Sequence, residues 1–418
     1  MAAARSSSMR HIAIIGSGPA GCYLAESLLR FVPDVSIDVI ERLPVPFGLV
    51  RAGVAPDHQS TKAVARVLDR ILARDRVAFF GNVEVGRDVR LEELTANYDA
   101  VALAVGAPRD RRLGVPGEDL AGVIGSGAFS GWYNSQLNHV APPLSGIHSV
   151  VVIGNGNVAI DVVRVLAKDD GELAGSDLGP GASSLLAAQP LEEIHIVGRR
   201  GPADAKFTEH ELAELGALRR ARPVIVEPGS FAGETPVVEI LRRFHAEERP
   251  PAAIAIQFHF RMMPAGFIGR GQLETVRFRR SDGSVHDLAA QLAVTCIGYE
   301  ARACCTLEPD GGIFRNDGGK IRDGLYVVGW AKRGPTGTIP TNRAEAQEVA
   351  QKIASEVTES NRAGRDALRK LLDTRGVHWI DHARWRRIDV AEIARAQAGR
   401  CRDKFMSVEE MLRAARNA

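Results

Sequence analysis

The sequence lacks any cysteine pair with redox or metal-binding spacing. It has only five cysteines in 418 residues, and none of them forms a CxxC motif. Zinc and iron–sulfur sites need such spaced thiolates, and a flavin-linked disulfide reductase needs a redox-active pair. The adjacent Cys304 and Cys305 do not supply one, because neighbouring cysteines seldom form a relaxed disulfide. We therefore expect reduced thiols, no metal site and a cytoplasmic protein.

The sequence also lacks an excess of charge of one sign and a long apolar run. Lys and Arg number 53 against 51 for Asp and Glu, which argues against binding polyanions through the whole surface. No apolar stretch approaches the ~20 residues of a membrane-spanning helix. With 45% hydrophobic and 25% charged residues, the chain fits a soluble protein of two domains. The residues before Met9 are too few for a transit peptide, so we expect an extension of the start.

Glycine, by contrast, is plentiful, and some of the glycines have a regular spacing. Gly16-x-Gly18-x-x-Gly21 directly follows an apolar strand, 12–15, and precedes a helical pattern. The first glycine permits a tight turn, the second lets the backbone approach a pyrophosphate, and the third lets the helix pack on the strand. A second strand, 35–40, ends at Glu41, whose carboxylate can accept hydrogen bonds from a ribose. This order of elements predicts a dinucleotide-binding unit.

The same pattern returns in the middle of the chain. A strand, 149–154, leads into Gly154-Asn-Gly156-Asn-Val-Ala159, a GxGxxA variant, and a helix to about Lys168. The next strand, 193–198, ends in Arg199-Arg200 and not in an acid, and arginines at this point suit a ribose 2′-phosphate. Two such units mean either two dinucleotides or one duplicated fold. We favour two dinucleotides, the second being NADPH rather than NADH.

Elsewhere the chain alternates between strand and helix patterns. A loop rich in Pro and Gly, 42–61, is expected beyond the strand ends, where ligands of open α/β sheets bind. Thr208 is predicted to cap a helix with Glu211 three residues on, so Glu211 has a structural explanation as well as a possible ligand role. The other predicted elements are helices 62–72 and 344–357, strands 77–80, 82–85, 98–107, 254–260, 273–278, 293–298 and 324–330, an irregular insertion 169–190, and a charged, peripheral helical segment 361–418.

Four segments carry a resemblance to a known family: 46–58 (PFGLVRAGVAPDH), 154–161 (GNGNVAID), 197–202 (VGRRGP) and 329–337 (GWAKRGPTG). On them the chain resembles adrenodoxin reductase-type ferredoxin–NADP⁺ reductases, flavoproteins of the glutathione reductase structural class. The resemblance runs from about residue 11 to 352, and segments 136–146 and 300–312 depart from the family pattern.

That resemblance implies an α/β fold with two Rossmann-like dinucleotide-binding domains. The FAD-binding domain would be discontinuous, 9–107 and 297–418, with a C-terminal helical extension. The NADP-binding domain would be 108–296. Both cofactors, FAD and NADP(H), are thus expected, each on its own glycine motif.

The resemblance also implies roles for individual residues. FAD would be held by the first motif and three later segments: Gly16, Gly18, Pro19, Ala20, Gly21, Glu41, Arg42, Leu49, Val85, Trp330, Gly337, Thr338 and Ile339. NADP(H) would be held by Asn155, Gly156, Asn157, Val158, Arg199, Arg200 and Glu211. His58 and Glu214 match positions thought to assist at the redox centre. Helix-start packing for His58 and a solvated helical face for Glu214 stay open as alternatives.

The implied reaction is hydride transfer from NADPH to FAD and then single-electron transfer to an adrenodoxin-like iron–sulfur ferredoxin, which would supply a cytochrome P450 or an iron–sulfur pathway. Hydride transfer needs little acid–base chemistry, because the protein mainly positions the rings. Ferredoxins are acidic, so a basic dock is expected, with a merely solvated face as the alternative. The candidate docking residues form two clusters: Arg219, Arg220 and Arg222, and Arg242 and Arg243. Glu239, Glu247 and Glu248 reduce the positive charge of the second cluster. We expect the protein to be a monomer.

Other classes of protein stay open as alternatives. Another NADPH-dependent flavoprotein, either a diaphorase or a monooxygenase, would share the two units, but the monooxygenase fingerprint FxGxxxHxxxW is not found. A glutamate-synthase-like β subunit would need a cysteine-rich N-terminal cluster domain. A non-enzymatic redox-sensing flavoprotein would bind FAD without reducing a ferredoxin.

Overall fold

The structure, a computed structural model, describes residues 9–143, 145–226, 233–247, 252–358 and 361–416. The predicted extension before Met9 and Glu248 of the predicted dock lie outside these residues. The strands are β1 (Arg10–Ile15), β2 (Val35–Glu41), β3 (Val77–Gly81), β4 (Ala100–Leu103), β5 (Arg109–Asp110), β6 (Val123–Gly125), β7 (Ser149–Ile153), β8 (Glu193–Val197), β9 (Ala221–Ile225), β10 (Ile254–His259), β11 (Met262–Ile268), β12 (Thr275–Arg280), β13 (Val285–Ala289), β14 (Leu292–Thr295), β15 (Tyr299–Glu300), β16 (Lys320–Arg322) and β17 (Leu325–Val327). The α-helices are α1 (Pro19–Phe31), α2 (Leu49–Ala52), α3 (Gln59–Lys62), α4 (Ala65–Leu72), α5 (Leu91–Asn97), α6 (Ser126–Tyr133), α7 (Asn157–Ala167), α8 (Pro180–Ala187), α9 (Glu209–Glu214), α10 (Pro236–Ala246), α11 (Trp330–Arg333), α12 (Ile339–Glu356), α13 (Arg365–Thr374), α14 (His382–Ala394) and α15 (Val408–Arg416).

Two six-stranded sheets organise these elements. The first has the order β16-β17-β4-β1-β2-β3, and only β16 runs antiparallel to its neighbour. The second has the order β6-β14-β7-β8-β10-β9, and all its strand pairs are parallel. Their central strands are continuous apolar runs because helices cover both faces of such sheets. The predicted α/β architecture with two Rossmann-like units is therefore confirmed.

The same glycine geometry begins the helix of each unit. Gly16 has φ +110° and Gly154 has φ +144°, a backbone region that side chains rarely occupy. A Cβ on Gly16 would overlap the carbonyl oxygen of Ala104, just after β4, and a Cβ on Gly154 would overlap that of Cys296, just after β14. The two loops thus pack on equivalent strands of their sheets, as expected for an internal repeat.

A small antiparallel sheet, β11-β12-β13, covers one face of the second sheet. Its inward side chains Phe267, Val276 and Phe278 form one apolar cluster with Val151 and Val197 of the second sheet. Its strand β12 corresponds to the predicted strand 273–278. It connects directly to β10 through Phe260 and Arg261, so it begins at the carboxyl edge of the parallel sheet.

The C-terminal segment is helical, as predicted, but the prediction that it is peripheral is wrong. Trp385 of α14 is 2% exposed and meets Phe47 edge to face, with ring centroids 5.6 Å apart. Lys404 is buried and lies 2.7 Å from Asp177, which also pairs with Lys62 at 2.9 Å. Burial and the second ammonium lower the pKa of Lys62 to about 7. The segment therefore contributes to the core and connects both halves of the chain.

Three local predictions differ from the structure. The predicted strand 82–85 is absent, because Asn82 adopts φ +60° and ends β3 while its side-chain amide donates to the His378 carbonyl at 2.8 Å. The predicted helix 62–72 is interrupted after Lys62. The insertion 169–190 contains α8. Among the described residues, no helix combines the length and apolarity needed to cross a bilayer.

Candidate functional site

Glu41 at the end of β2 faces the first glycine loop, as predicted. One carboxylate oxygen accepts hydrogen bonds from the Ser17 backbone N–H at 3.1 Å and the Ser17 hydroxyl at 2.7 Å. The other accepts from the Leu43 N–H at 3.2 Å. An ionised carboxylate has about four acceptor sites, so Glu41 keeps capacity for a ribose hydroxyl.

Two helix N-termini meet at this loop. α1 begins beside Gly18, and α12 begins after Thr338, five residues before the start predicted from the sequence. A Cβ on Gly329 (φ +77°) would lie 2.6 Å from the Cβ of Ala20 and 3.7 Å from the side-chain oxygen of Asn342, so the first turns of both helices are adjacent. Each N-terminus carries about half a positive charge and unpaired amides, which together suit a diphosphate or an electron-rich ring edge.

The loop 42–58 packs against the first glycine loop. Phe47 (φ +83°) donates its N–H to the Ser17 carbonyl at 3.1 Å, and a Cβ on Gly48 would lie 3.3 Å from the Gly18 Cα. A Cβ on Gly18 itself would meet no atom within 4 Å, which leaves an open approach to the backbone. The loop, the acid and the two helix ends therefore fit the diphosphate and ribose of a dinucleotide such as FAD.

Trp330 extends this region toward the second unit. Its indole N–H donates to the Thr336 carbonyl at 3.2 Å, and its ring stacks on Tyr299 with centroids 5.8 Å apart. Tyr299 in turn accepts a hydrogen bond from Ser126 at 3.1 Å, and Ser126 begins α6 next to β6 of the second sheet. The aromatic pair thus lies where the two halves of the chain meet.

The second glycine loop has an equivalent opening. A Cβ on Gly156 would meet no atom within 4 Å, and the side-chain oxygen of Asn155 is buried without a hydrogen-bond partner. Asn157 accepts from the Thr208 N–H at 2.8 Å, which fixes α9 beside the loop. A buried acceptor without a partner costs about 1–3 kcal/mol, so Asn155 fits a site completed by donors of a bound nucleotide.

Arg199 and Arg200 follow β8 at the same edge of the sheet, and both are exposed. Their position, at the end of the second strand of the unit, is where a ribose 2′-substituent lies in this kind of fold. Together with Asn155 and Gly156, they make the second loop fit NADP(H).

A charged cluster joins the two units. The side chain of Arg164 on α7 has no exposed surface. Its guanidinium donates two hydrogen bonds, of 2.7 and 3.1 Å, to the carboxylate of Asp57 on loop 42–58. It also lies 2.7 Å from Asp161, 3.2 Å from Glu211 and 3.3 Å from Glu214. Lys168 adds a contact of 2.7 Å to Asp57. Two cations thus face four carboxylates at this junction.

Burial and charge act in opposite directions on these acids. Burial works to raise the pKa of Asp57, but hydrogen bonds and charge from Arg164 and Lys168 outweigh it and hold the pKa well below its ordinary value. For Glu211, burial and the neighbouring Asp161 carboxylate raise the pKa above its ordinary value despite His58 and Arg164. The cluster therefore holds one firmly ionised acid and one that takes up a proton more readily.

His58 lies in the middle of the acidic side chains. Its Nε2 is 3.2 Å from Glu214 and 3.7 Å from Glu211, and its Nδ1 is 3.6 Å from Asp161. His58, Asp161 and Glu211 offer three ligand atoms within 4.8 Å of one another, the spacing that a divalent cation needs. Arg164 already neutralises both carboxylates, so a cation would compete with the guanidinium.

The structure brings together most of the predicted site residues. Gly16, Gly18, Pro19, Ala20, Gly21, Glu41, Gly337, Thr338 and Ile339 lie around the two adjacent helix N-termini. Asn155, Gly156, Asn157 and Val158 form the second loop, and His58, Glu211 and Glu214 share one cluster. Arg42 and Leu49 are exposed on the loop over the first unit, and Val85 lies in the turn after β3, where it bridges to Val89.

Four residues of this region are not predicted as site residues from the sequence: Asp57, Asp161, Arg164 and Tyr299. Asp57 and Asp161 belong to the segments 46–58 and 154–161, and that membership is the signal that could reveal them. Arg164 stands among apolar residues of α7, and nothing local marks it as a partner of Asp57.

Comparison with known proteins extends this picture. The family model described as Pyridine nucleotide-disulphide oxidoreductase matches residues 10–197. NADPH-ferredoxin reductase FprA of Mycobacterium tuberculosis is 37% identical, covering 96% of this chain and 98% of its own. The mitochondrial NADPH:adrenodoxin oxidoreductase of Homo sapiens is also 37% identical, covering 96% of this chain and 91% of its own. A solved structure of Mycobacterium tuberculosis FprA in complex with NADPH has a TM-score of 0.91 and 37% identity, covering 97% of this chain and 99% of that one.

Proposed function

Because this chain belongs to the family of NADPH-ferredoxin and NADPH:adrenodoxin reductases, we propose that it oxidises NADPH through FAD and passes single electrons to an iron–sulfur ferredoxin. It is an oxidoreductase whose cofactors are FAD and NADP(H). The observation that carries the proposal is the pair of glycine loops at the carboxyl edges of two sheets, joined by the contact of Asp57 with Arg164. When both cofactors are bound, they supply a hydride donor and a ring that divides two electrons into single transfers.

In this proposal the first unit holds FAD. The N-termini of α1 and α12 stabilise its negative charge, Glu41 accepts from its ribose, and Trp330 borders its ring system. Gly16 and Gly21 keep the loop tight, because a Cβ on Gly21 would overlap the carbonyl oxygen of Gly16. Arg42, Leu49 and Val85 complete the proposed lining.

The second unit holds NADP(H). Its glycine loop receives the diphosphate, and the Asn155 Oδ1 accepts from a donor of the nucleotide such as a ribose hydroxyl. Arg199 and Arg200 bind the 2′-phosphate as charge-assisted donors. Glu211 on α9 lies beside the nicotinamide half. Burial and the neighbouring Asp161 carboxylate raise its pKa above the ordinary value. Its carboxylate oxygens can accept hydrogen bonds from a carboxamide N–H.

His58 and Glu214 hold the junction between the two units. Their contact of 3.2 Å connects loop 42–58 with α9, so it connects the proposed FAD and NADP(H) sites. We assign to this pair the orientation of α9 against the flavin side, with His58 shared among Glu214, Glu211 and Asp161. This contact supports a positioning role for both residues at the redox centre, and His58 also stands at the N-cap of α3, as the helix-start alternative expects.

The function is tested by anaerobic reduction of the purified yellow protein. NADPH is expected to bleach the flavin absorbance much faster than NADH, and adding a [2Fe–2S] ferredoxin is expected to start cytochrome c reduction. Protein that is colourless and cannot be reconstituted with FAD, or that prefers NADH, contradicts the proposal. Bleaching without any ferredoxin-dependent cytochrome c reduction would favour a diaphorase.

The ferredoxin dock is proposed at the basic residues beside α9. Arg242 and Arg243 are exposed on α10, which packs against both α9 and β9. Arg219, Arg220 and Arg222 lie at the start of β9, where Arg220 also donates to the Ala167 carbonyl at 3.0 Å. α10 thus contacts the helix that carries Glu214, and an acidic partner bound there approaches the redox junction.

Reversing Arg242 and Arg243 to glutamate is expected to raise KM for the ferredoxin about ten-fold at low salt, because rim charges act mainly on association. Turnover from NADPH to ferricyanide should stay unchanged. R243E alone should show part of the effect, since Arg242 also donates to the Gly233 carbonyl at 2.9 Å and its loss has a local cost. The matched control reverses the exposed Arg369 and Lys370 of α13. Equal ferredoxin kinetics in both double variants would exclude this dock.

Domain boundaries and assembly complete the proposal. The first sheet uses strands between residues 10 and 103 and between 320 and 327, and the second uses strands between 123 and 295. These strand memberships support an FAD domain of 9–107 and 297–418 and an NADP domain of 108–296.

The five free thiols support a reducing compartment such as the cytoplasm. We also propose a monomer, which light scattering during size-exclusion chromatography tests.

A further inference from the structure

Arg261 stands at an unusual point in the second unit. It follows β10 and has φ +58°, a backbone region that costs a residue other than glycine about 1 kcal/mol or more. Its own N–H donates to the Arg200 carbonyl at 3.1 Å. The chain therefore holds Arg261 in a strained conformation directly against the turn that follows β8.

The ends of two neighbouring strands bring Arg261 beside the arginine pair. β10 runs parallel to β8 with His259 opposite Val197 as the last registered pair, and Arg261 and Arg199 each follow two residues after their strand ends. Carboxyl ends of parallel strands share one edge, which is the ligand edge of such a sheet. Arg261 is thus the third arginine at the point where β8 ends.

The side chain of Arg261 is directed along the same turn. A Cβ on Gly201 would lie 3.5 Å from the Nη2 and 3.7 Å from the Nε of Arg261, so the guanidinium lies against the glycine that follows Arg200. Asp204 lies at the same glycine, where a Cβ on Gly201 would be 3.8 Å from its Oδ2. In the part of the chain that the structure describes, the side chains of Arg199, Arg200 and Arg261 form no hydrogen bond or ion pair within 4.0 Å.

Three arginines at one edge of the sheet carry more positive charge than the single neighbouring acid, Asp204, can balance. Such a cluster suits a ligand with concentrated negative charge, and a phosphate monoester carries about −1.5 to −2 at neutral pH. Two arginines can bind it through their paired N–H groups, and a third closes the remaining face. The nicotinamide carriers differ in this group alone, since NADP(H) carries the 2′-phosphate and NAD(H) does not.

We propose that Arg261 is a specificity-determining residue that binds the 2′-phosphate of NADP(H) together with Arg199 and Arg200. This inference rests on the proposed binding of NADP(H) in the second unit. The predicted pair, Arg199 and Arg200, follows β8, whereas Arg261 follows the neighbouring strand β10 and adds a third contact to the phosphate.

The test measures binding to the flavin-loaded protein by isothermal titration calorimetry with NADP⁺, NAD⁺ and 2′,5′-ADP. R261A is expected to weaken NADP⁺ and 2′,5′-ADP about ten-fold or more, the usual effect of one charge-assisted hydrogen bond, and to leave NAD⁺ unchanged. R261K should recover part of the loss, since it keeps the charge without the paired donors. Arg270 is exposed in the turn between β11 and β12, and R270A removes the same charge as a matched control.

The outcomes separate this inference from the proposed function. If R199A weakens NADP⁺ binding and R261A does not, Arg261 is no phosphate ligand, while the second unit still binds NADP(H). Equal weakening of NADP⁺ and NAD⁺ by R261A would indicate a contact with the adenine and overturn the specificity role. If neither R199A nor R261A changes the binding of NADP⁺, the assignment of the second unit itself is wrong.

Discussion

Replacing Arg164 with methionine is expected to lower the free energy of unfolding by about 3–5 kcal/mol, the usual cost of removing one partner from a buried ion pair. Arg164 is fully buried, and its loss leaves Asp57 and Asp161 without their closest cation. Asp57 would keep only Lys168, whose side chain is 19% exposed. Because Asp57 lies on loop 42–58 and Arg164 on α7, the change also removes a buried ion pair between the two glycine units.

The size of this effect should depend on pH in a defined direction. In the natural protein the pKa of Asp57 lies below its ordinary value, so this acid stabilises the fold above about pH 4. Without Arg164, burial raises the pKa of both acids above that of the unfolded chain. The penalty then grows as pH rises and is relieved as pH falls. The deficit of R164M should therefore be larger at pH 8 than at pH 5.

Urea unfolding of the holoenzyme, followed by flavin fluorescence and circular dichroism, measures this prediction. K168M is the matched control, because it removes the partly exposed cation of Asp57 and leaves Arg164 in place, and we expect a loss of at most about 1 kcal/mol. R164K should lie between the two. A midpoint for R164M equal to that of the natural protein at pH 8 would show that the cluster does not stabilise the fold.

Local patterns carry most of the information about the fold. The first glycine loop follows a buried strand, and the same sequence of elements recurs at Gly154, so neighbouring residues alone reveal both units. The spacing also reveals Glu41, since the second strand of such a unit ends at a fixed distance from the glycines. Thr208 is predicted as a cap from its spacing to Glu211, and it accepts from the Glu211 N–H at 3.4 Å.

Contacts between distant residues cannot be predicted in this way. Asp57 and Arg164 are 107 positions apart, and an arginine within an apolar helix gives no sign of which acid it meets. Trp385 and Lys404 lie in a segment whose charged composition suggests a peripheral position, yet both are buried. The alternating apolar residues of 82–85 predict a strand, but the left-handed backbone of Asn82 depends on its contact with the His378 carbonyl. In each case the deciding partner comes from another part of the chain.

The assignment of one cofactor to each glycine loop leads to a pair of opposite expectations for Gly18→Ala and Gly156→Ala. Neither glycine has a positive φ, and a Cβ at either position would meet no protein atom within 4 Å. Both variants should therefore fold normally. The added methyl group occupies the space through which a diphosphate approaches the backbone, and such overpacking costs about 1–3 kcal/mol.

G18A is expected to be purified largely without flavin and to bind added FAD about ten- to a hundred-fold more weakly, which corresponds to that energy. G156A is expected to remain yellow and fully loaded, while its affinity for NADP⁺ falls by a similar factor. Visible absorbance of the purified protein measures the first effect, and calorimetric titration with NADP⁺ measures the second. Gly181 of α8 is equally open, so G181A is the matched control and should change neither.

The two variants together test the order of the units as well as their existence. A nonspecific loss of stability would reduce both cofactors in both variants, and thermal unfolding of the apoproteins would reveal it. If G18A kept its flavin and lost NADP⁺ while G156A lost flavin, the assignment of the loops would be reversed. The acid at Glu41 and the arginines at 199 and 200 argue for FAD on the first loop and NADP(H) on the second, because an ionised carboxylate repels a 2′-phosphate and a guanidinium attracts it. The cofactor lost in each variant is therefore set by the residue that ends the second strand of its unit.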